Sequence, residues 1–427
     1  MTTLRTWVGG DYQYNGIAAV GQKLYCAPHN ATSVLIIDAA TNRTTTVETG
    51  LKGDHFYHGI AAVGNKLYCC PSSASSVLVI DAGTDTTSFV TWTSPAQTWG
   101  THAVSAEPVS WKWAGIAAVG PRLFCAPCNS SWVLVIDTKT DTTTYIETGF
   151  EGDHKWSGIA AVGERLYCAP FQSSSVLVID SATNKTTTIE THIRGEYKFA
   201  GIAAKGTKLY CSPLNFPSVL VIDTATNATS IIQIGIACNW KWSGIATHGD
   251  KLFCSPCNAS SVLVIDTATS KTTMWSWASA TTHAGLGELR WAGIEAVGDA
   301  LFCAPHCAEA VLVIDVGAST GGLRNEDKAT EAVAPTASDT NDPPPPVPPM
   351  VQRSYSGLTA DAAARPTLIS MVQTLMRTLS LEGDASQVVA GACKKLGVST
   401  EGKSLLEQAT ECYKLATKPE RIETSSA

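Results

Sequence analysis

The chain has 427 residues, 44% of them hydrophobic and 16% charged, with a formal net charge of −7 at pH 7. That balance excludes wholesale disorder and argues against a nucleic-acid partner, whose phosphates call for a surplus of Lys and Arg. No run of 18 apolar residues is present to span a membrane, and Met1 to Asp11 lack the apolar core of a signal peptide, so a cytoplasmic protein without membrane insertion is expected.

In chain order, the first predicted element is a strand over residues 2–7. Thr2-Thr3-Leu4-Arg5-Thr6, then Gly10-Asp11, aligns without a gap to Thr45-Thr46-Val47-Glu48-Thr49, then Gly53-Asp54. The segment Gly16-Ile17-Ala18-Ala19-Val20-Gly21 recurs with small changes from Gly59, Gly115, Gly158, Gly201, Gly244 and Gly293, at spacings of 43, 56, 43, 43, 43 and 49 residues. Ten residues after each first glycine stands a cysteine: Cys26, Cys69, Cys125, Cys168, Cys211, Cys254 and Cys303. Twelve after stands a proline, and twenty-two after an aspartate, from Asp38 to Asp315.

Each copy reads as four short strands: Gly-Ile-Ala-Ala-Val, Leu-Tyr-Cys-Ala, Val-Leu-Val-Ile-Asp, and a Thr-rich stretch such as Thr186-Thr187-Thr188-Ile189-Glu190. β-Branched and aromatic residues fill the strands, and Gly, Pro, Asn, Asp and Ser fill the breaks. Glycines such as Gly21, Gly64 and Gly163 open tight first hairpins. Four strands in 43 residues predict a β-propeller blade, and seven copies predict an all-β, seven-bladed ring over residues 1–320. The seventh copy lacks a convincing fourth strand after Asp315, so residues 2–7 are predicted to supply it and close the ring.

The string Leu252-Phe253-Cys254 … Ser261-Val262-Leu263-Val264-Ile265-Asp266-Thr267 resembles the YVTN-type propeller repeat found in surface-layer-like proteins. In this chain a cysteine replaces that family's usual apolar residue in the second strand. The resemblance implies the fold and carries over no catalytic residue.

Residues 321–356, with Pro343-Pro344-Pro345-Pro346-Val347-Pro348-Pro349, read as an extended Pro-rich linker. Residues 357–420 change period. Leu368, Met371, Val372, Leu375, Met376 and Leu379 mark an amphipathic helix, and two more are predicted near 384–396 and 404–416. Together they predict a small α-helical C-terminal domain, followed by a disordered tail at 421–427.

The seven repeat cysteines are read as small buried hydrophobes. Cys125/Cys128 and Cys254/Cys257 form Cys-x-x-Cys pairs, Cys303/Cys307 comes close, and His306 and His29 lie nearby. Sheets about 10 Å apart are expected to keep such groups from converging on one ion, so neither a metal nor a cofactor is expected. The aspartates are read as turn caps. Six Asn-x-Ser/Thr sequons, Asn30, Asn129 and Asn258 among them, are read as turn asparagines rather than glycan sites.

The best binding candidates precede each first strand. Two residues before the repeat glycine stand Tyr14, Tyr57, Trp113, Trp156, Phe199, Trp242 and Trp291. Three before it come the bases Lys112, Lys155, Lys198, Lys241 and Arg290, and five before it the acids Asp11, Asp54, Asp153, Glu196 and Glu288. The plainer reading packs the aromatics between blades and leaves the charges on a solvated rim. Two insertions add Trp92, Trp99, His102 and Trp111, and Trp275, Trp277 and His283, to the same top face. No catalytic motif is present, and His55 and His154 recur in matching Gly-Asp-His segments. The expected function is a non-enzymatic scaffold with a monomeric propeller, binding a peptide or protein on its top face. A lectin-like carbohydrate binder using the aromatic–basic pairs is one alternative. A propeller lyase or hydrolase, with polar groups converging over the channel mouth, is the other.

Overall fold

A computed structural model of the chain describes residues 1–6, 10–91, 110–236, 238–276, 289–317 and Lys394. The predicted linker, C-terminal helices and tail lie outside these residues, apart from Lys394. Met1–Ser338 and Asp339–Ala427 are separate compact units, and the fold below belongs to the first.

The described residues form seven four-stranded antiparallel sheets. In blade one the strands run Tyr14–Val20, Lys23–Pro28, Ser33–Asp38 and Arg43–Glu48, from the axis outward. The third strand is apolar on both faces and wholly buried except at its terminal aspartate, whereas the Thr-rich fourth strand is largely exposed. That gradient is what a sheet between two neighbours requires, with only its rim in water. The first hairpins turn on left-handed glycines, with φ of 62° at Gly21 and Gly64 and 60° at Gly163. The aspartates cap the next turn: the Asp38 carboxylate accepts the Thr41 N–H at 2.9 Å, and the Asp180 carboxylate accepts Thr183 N–H at 2.9 Å. Those backbone donors hold both carboxyls below their ordinary range.

Blade seven takes its outer strand from the N-terminus. Thr2–Arg5 pairs antiparallel with Ala310–Asp315, with Thr2 opposite Val313 and Arg5 opposite Ala310. The sheet edge that the last repeat leaves open is thereby covered.

Seven apolar clusters occupy the seams, and each sets the repeat cysteine of one blade with the aromatic of the blade before it. Cys26 packs with Phe302, Cys69 with Tyr25, Cys168 with Phe124, and Cys254 with Tyr210. Desolvation pushes the Cys26, Cys69 and Cys168 thiols far above the ordinary range, so they serve as packing groups.

Towards the axis the inner strands meet backbone to backbone. A Cβ placed on Gly158 would stand 2.7 Å from the Ala200 carbonyl oxygen, and one on Gly244 2.7 Å from that of Ala292. Just before each glycine the inner strand bulges: Tyr14 opposes Pro28 and Ile17 opposes Cys26, so Asn15 and Gly16 face Ala27 alone. A bulge of this kind re-aims the chain, and it recurs in all seven blades. A second belt lies above it. The residue three before each glycine donates its N–H to the preceding blade, from Gln13 to His306 O at 2.6 Å round to Arg290 to Cys257 O at 3.1 Å.

Candidate functional site

The repeated aromatics and bases are committed to the seams. Trp113, Trp156, Trp242 and Trp291 are buried, and each indole N–H donates to a carbonyl at the start of its own blade's third strand, those of Trp132, Ser175, Ser261 and Ala310 at 2.6–2.8 Å. Lys155 Nζ donates to Cys128 O at 3.0 Å and Gly152 O at 2.6 Å, and Lys198 and Lys241 make the equivalent pair of bonds. Arg290 donates to Ala259 O, and Lys112 is likewise buried. Burial lowers the Lys112, Lys155 and Lys198 ammonium groups to about 8. These bases staple one blade to the next. Trp275 packs its ring 5.4 Å from Phe253 on the outer strand of blade six. Trp92, Trp99, His102, Trp277, His283 and Glu288 lie outside the described residues.

A different set of residues lines the channel mouth. Four before each glycine stand Tyr12, His55, Trp111, His154, Tyr197, Trp240 and Leu289, all left-handed with φ between 51° and 59°. That conformation costs a non-glycine residue about 1 kcal/mol, and asparagines of the preceding blade offset part of it. Asn30, Asn129, Asn215 and Asn258 accept the N–H groups of His55, His154, Trp240 and Leu289 at 2.6–2.9 Å, which gives three sequon asparagines a structural role. From Tyr12 to Trp240 the six rings follow one another at centroid spacings of 5.7–6.3 Å, forming an arc around the mouth. Tyr12 and Trp240 are each 37% exposed.

Behind this arc stand the residues thirteen after each glycine: His29, Ser72, Cys128, Phe171, Leu214, Cys257 and His306. The two positions divide the mouth into unlike halves. On blades four and five, Phe171, Ala200 and Leu214 form a small apolar cluster with Tyr197 packed on it. On blades seven, one and two, His306, His29, His55 and His58 gather instead. His29 and His306 have centroids 5.8 Å apart, closer than the blade spacing of about 10 Å from which separation was expected. The blades are wedges, and near the axis their loops converge.

The hydrogen bonds fix two of these imidazoles. His29 Nδ1 meets the Tyr57 carbonyl oxygen at 2.8 Å, and His306 Nδ1 meets that of Tyr14 at 2.9 Å. A carbonyl only accepts, so Nδ1 carries the proton in both and Nε2 is left as a lone pair. His29 Nε2 then accepts from His55 Nδ1 at 2.9 Å. Burial first, and then His306 and His58, push His29 well below the ordinary imidazole range. Burial likewise lowers His58 and His306 to about 4, so His29, His58 and His306 are neutral at pH 7. Cys128 Sγ lies 3.8 Å from His154 Nδ1, a pairing that suggests a nucleophile. Desolvation pushes that thiol up to about 12, which leaves it protonated and unreactive. Among the described residues no group of three or more His, Cys, Asp or Glu is placed to hold a metal ion.

In the sequence Trp111 stands out as a top-face residue, and His29, His306, His55 and His154 only as metal candidates or repeat features. Tyr12, His58, Tyr197 and Trp240 do not stand out, because the features shared by every blade dominate. The signal was variation: within an otherwise strict repeat, the places one, four and thirteen residues from the glycine change chemistry from blade to blade.

No family model and no curated protein matches the chain. Solved structures similar to it include a streptogramin B lyase, at 14% identity over 73% of this chain and 95% of that one, with a TM-score of 0.58. Another is the hydrazine synthase of Kuenenia stuttgartiensis, at 16% identity, 73% and 98% coverage, and TM-score 0.51. A third is the extracellular domain of a one-component system of B. thetaiotaomicron, at 12% identity, 74% and 42% coverage, and TM-score 0.54. At such identities the likeness shows the propeller fold alone.

Proposed function

We propose that the propeller is a binding module that takes a peptide or protein at the mouth of its central channel. One observation carries this reading: the blades repeat at the seams, and their differences collect at the mouth, as a continuous aromatic and imidazole surface. A structural ring needs only the repeat, whereas a surface that differs from blade to blade can orient one ligand. The lectin-like alternative loses its footing, since the repeated tryptophans offer no ring face to a sugar. The test is peptide display on the full chain, counter-selected against a variant carrying Tyr197→Ala and Trp240→Ala. Peptides lost with the variant support the reading, and peptides retained by it contradict it.

A lyase or hydrolase reading has one observation of its own. His306 is neutral and presents an Nε2 lone pair, the form a general base requires. It calls for turnover that stops in His306→Asn. An ester and lactone panel without turnover counts against it.

A further inference from the structure

Among the described residues, His306 Nε2 stands at the mouth with no hydrogen-bond partner, as does the Ser72 hydroxyl in blade two. His306 is 9% exposed, and its Nδ1 is spent on the Tyr14 carbonyl. That bond leaves Nε2 on the far side of the ring, and the ring centroids of Tyr12 and His29 stand 5.0 and 5.8 Å from that of His306. The neighbouring acceptor, His29 Nε2, is already filled by His55. An imidazole nitrogen with no partner in the protein, on a ring that is otherwise buried, is an acceptor open to a ligand donor.

Charge does not select the ligand. The carboxylates Asp11, Asp54, Asp153 and Glu196 on the rim are exposed, while Lys155, Lys198 and Lys241 lie just beneath with their ammonium groups bonded to carbonyls. Both signs are present and no single-sign field results. The mouth therefore suits a neutral group: a flat apolar body for the aromatic arc, with a donor at its far end for a recessed acceptor. A phenol has that shape, because its O–H lies on the long axis of the ring, opposite the chain that delivers it.

We propose that the mouth accepts a tyrosine side chain of the partner peptide, its ring laid along the aromatic arc and its phenol O–H donated to Nε2 of His306. The proposal rests on the peptide-binding reading and adds the identity of the anchor. It places a selective acceptor in blade seven, at the junction with blade one.

The test uses the full chain and two small probes, N-acetyl-tyrosine amide and N-acetyl-phenylalanine amide, with binding followed by saturation-transfer NMR. The tyrosine probe should bind roughly tenfold more tightly, the effect of one hydrogen bond to an otherwise unfilled acceptor. His306→Asn keeps a donor for the Tyr14 carbonyl and removes the Nε2 acceptor, so it should bring the two probes to equal affinity while the chain stays folded. Equal binding by the wild type, or a preference that survives His306→Asn, overturns the tyrosine assignment. Display-selected peptides that still need Tyr197 and Trp240 would then leave the binding reading standing. Peptides indifferent to both rings would remove the binding reading itself.

Discussion

At the seam between blades three and four, Cys168 packs with Phe124, and the other seams repeat that pairing with little change. Thirteen residues beyond each glycine, at the mouth, the same blades carry His29, Ser72, Cys128, Phe171, Leu214, Cys257 and His306. The seam positions face a neighbouring blade, so every blade must present the same shape to the next for the ring to close. The mouth positions stand behind the arc where the loops converge, and there the chemistry differs from blade to blade. Seams should therefore govern stability, and the mouth should govern binding.

The largest effect expected from breaking a seam is Trp156→Ala. It removes a fully buried indole and its bond to the Ser175 carbonyl, and should cost about 4 kcal/mol, read by denaturant unfolding. Gly244→Ala comes next. Its methyl would press on the Ala292 carbonyl oxygen from 2.7 Å, and about 3 kcal/mol of stability should be lost in the same assay.

Acid acts at the mouth through the histidines. His306 sits at about 4 in the folded chain against 6.5 when free, so the unfolded chain binds more protons between those values. Its contribution is fully present above pH 6.5 and is lost as the pH falls to about 4, a difference of about 3 kcal/mol. His29 and His58 act in the same direction. Unfolding temperatures measured from pH 7 to pH 4 should fall less steeply for His306→Asn than for the wild type. The smallest effect on stability belongs to Trp240→Ala. That ring is exposed at a left-handed position that alanine tolerates no worse, so stability should stay within about 0.5 kcal/mol.

Much of this fold could be read from residues alone. The aspartates from Asp38 onward announced their turns, and Thr2–Arg5 announced the strand that pairs with Ala310–Asp315. The period of 43 residues carried the blade count. The site was less legible, for two physical reasons. Repetition drew attention to Lys155, Lys198 and Trp156, whose recurrence reflects their work in the seams. The flat-sheet spacing of about 10 Å then kept His29 and His306 apart on paper. Close to the axis that spacing does not apply, and the loops bring their rings to 5.8 Å.

The most direct test of the division between seam and mouth compares two ends of the ring with one ligand. A display-selected peptide is titrated against the wild type, against Tyr197→Ala/Trp240→Ala at the mouth, and against Lys205→Ala. Lys205 lies at the opposite end of an inner strand, where its ammonium meets Asp250 at 3.0 Å. The mouth variant should bind at least roughly tenfold more weakly while still folded at the titration temperature, and Lys205→Ala should bind like the wild type. Equal affinity for all three, or a loss that merely follows a loss of stability, would contradict the account.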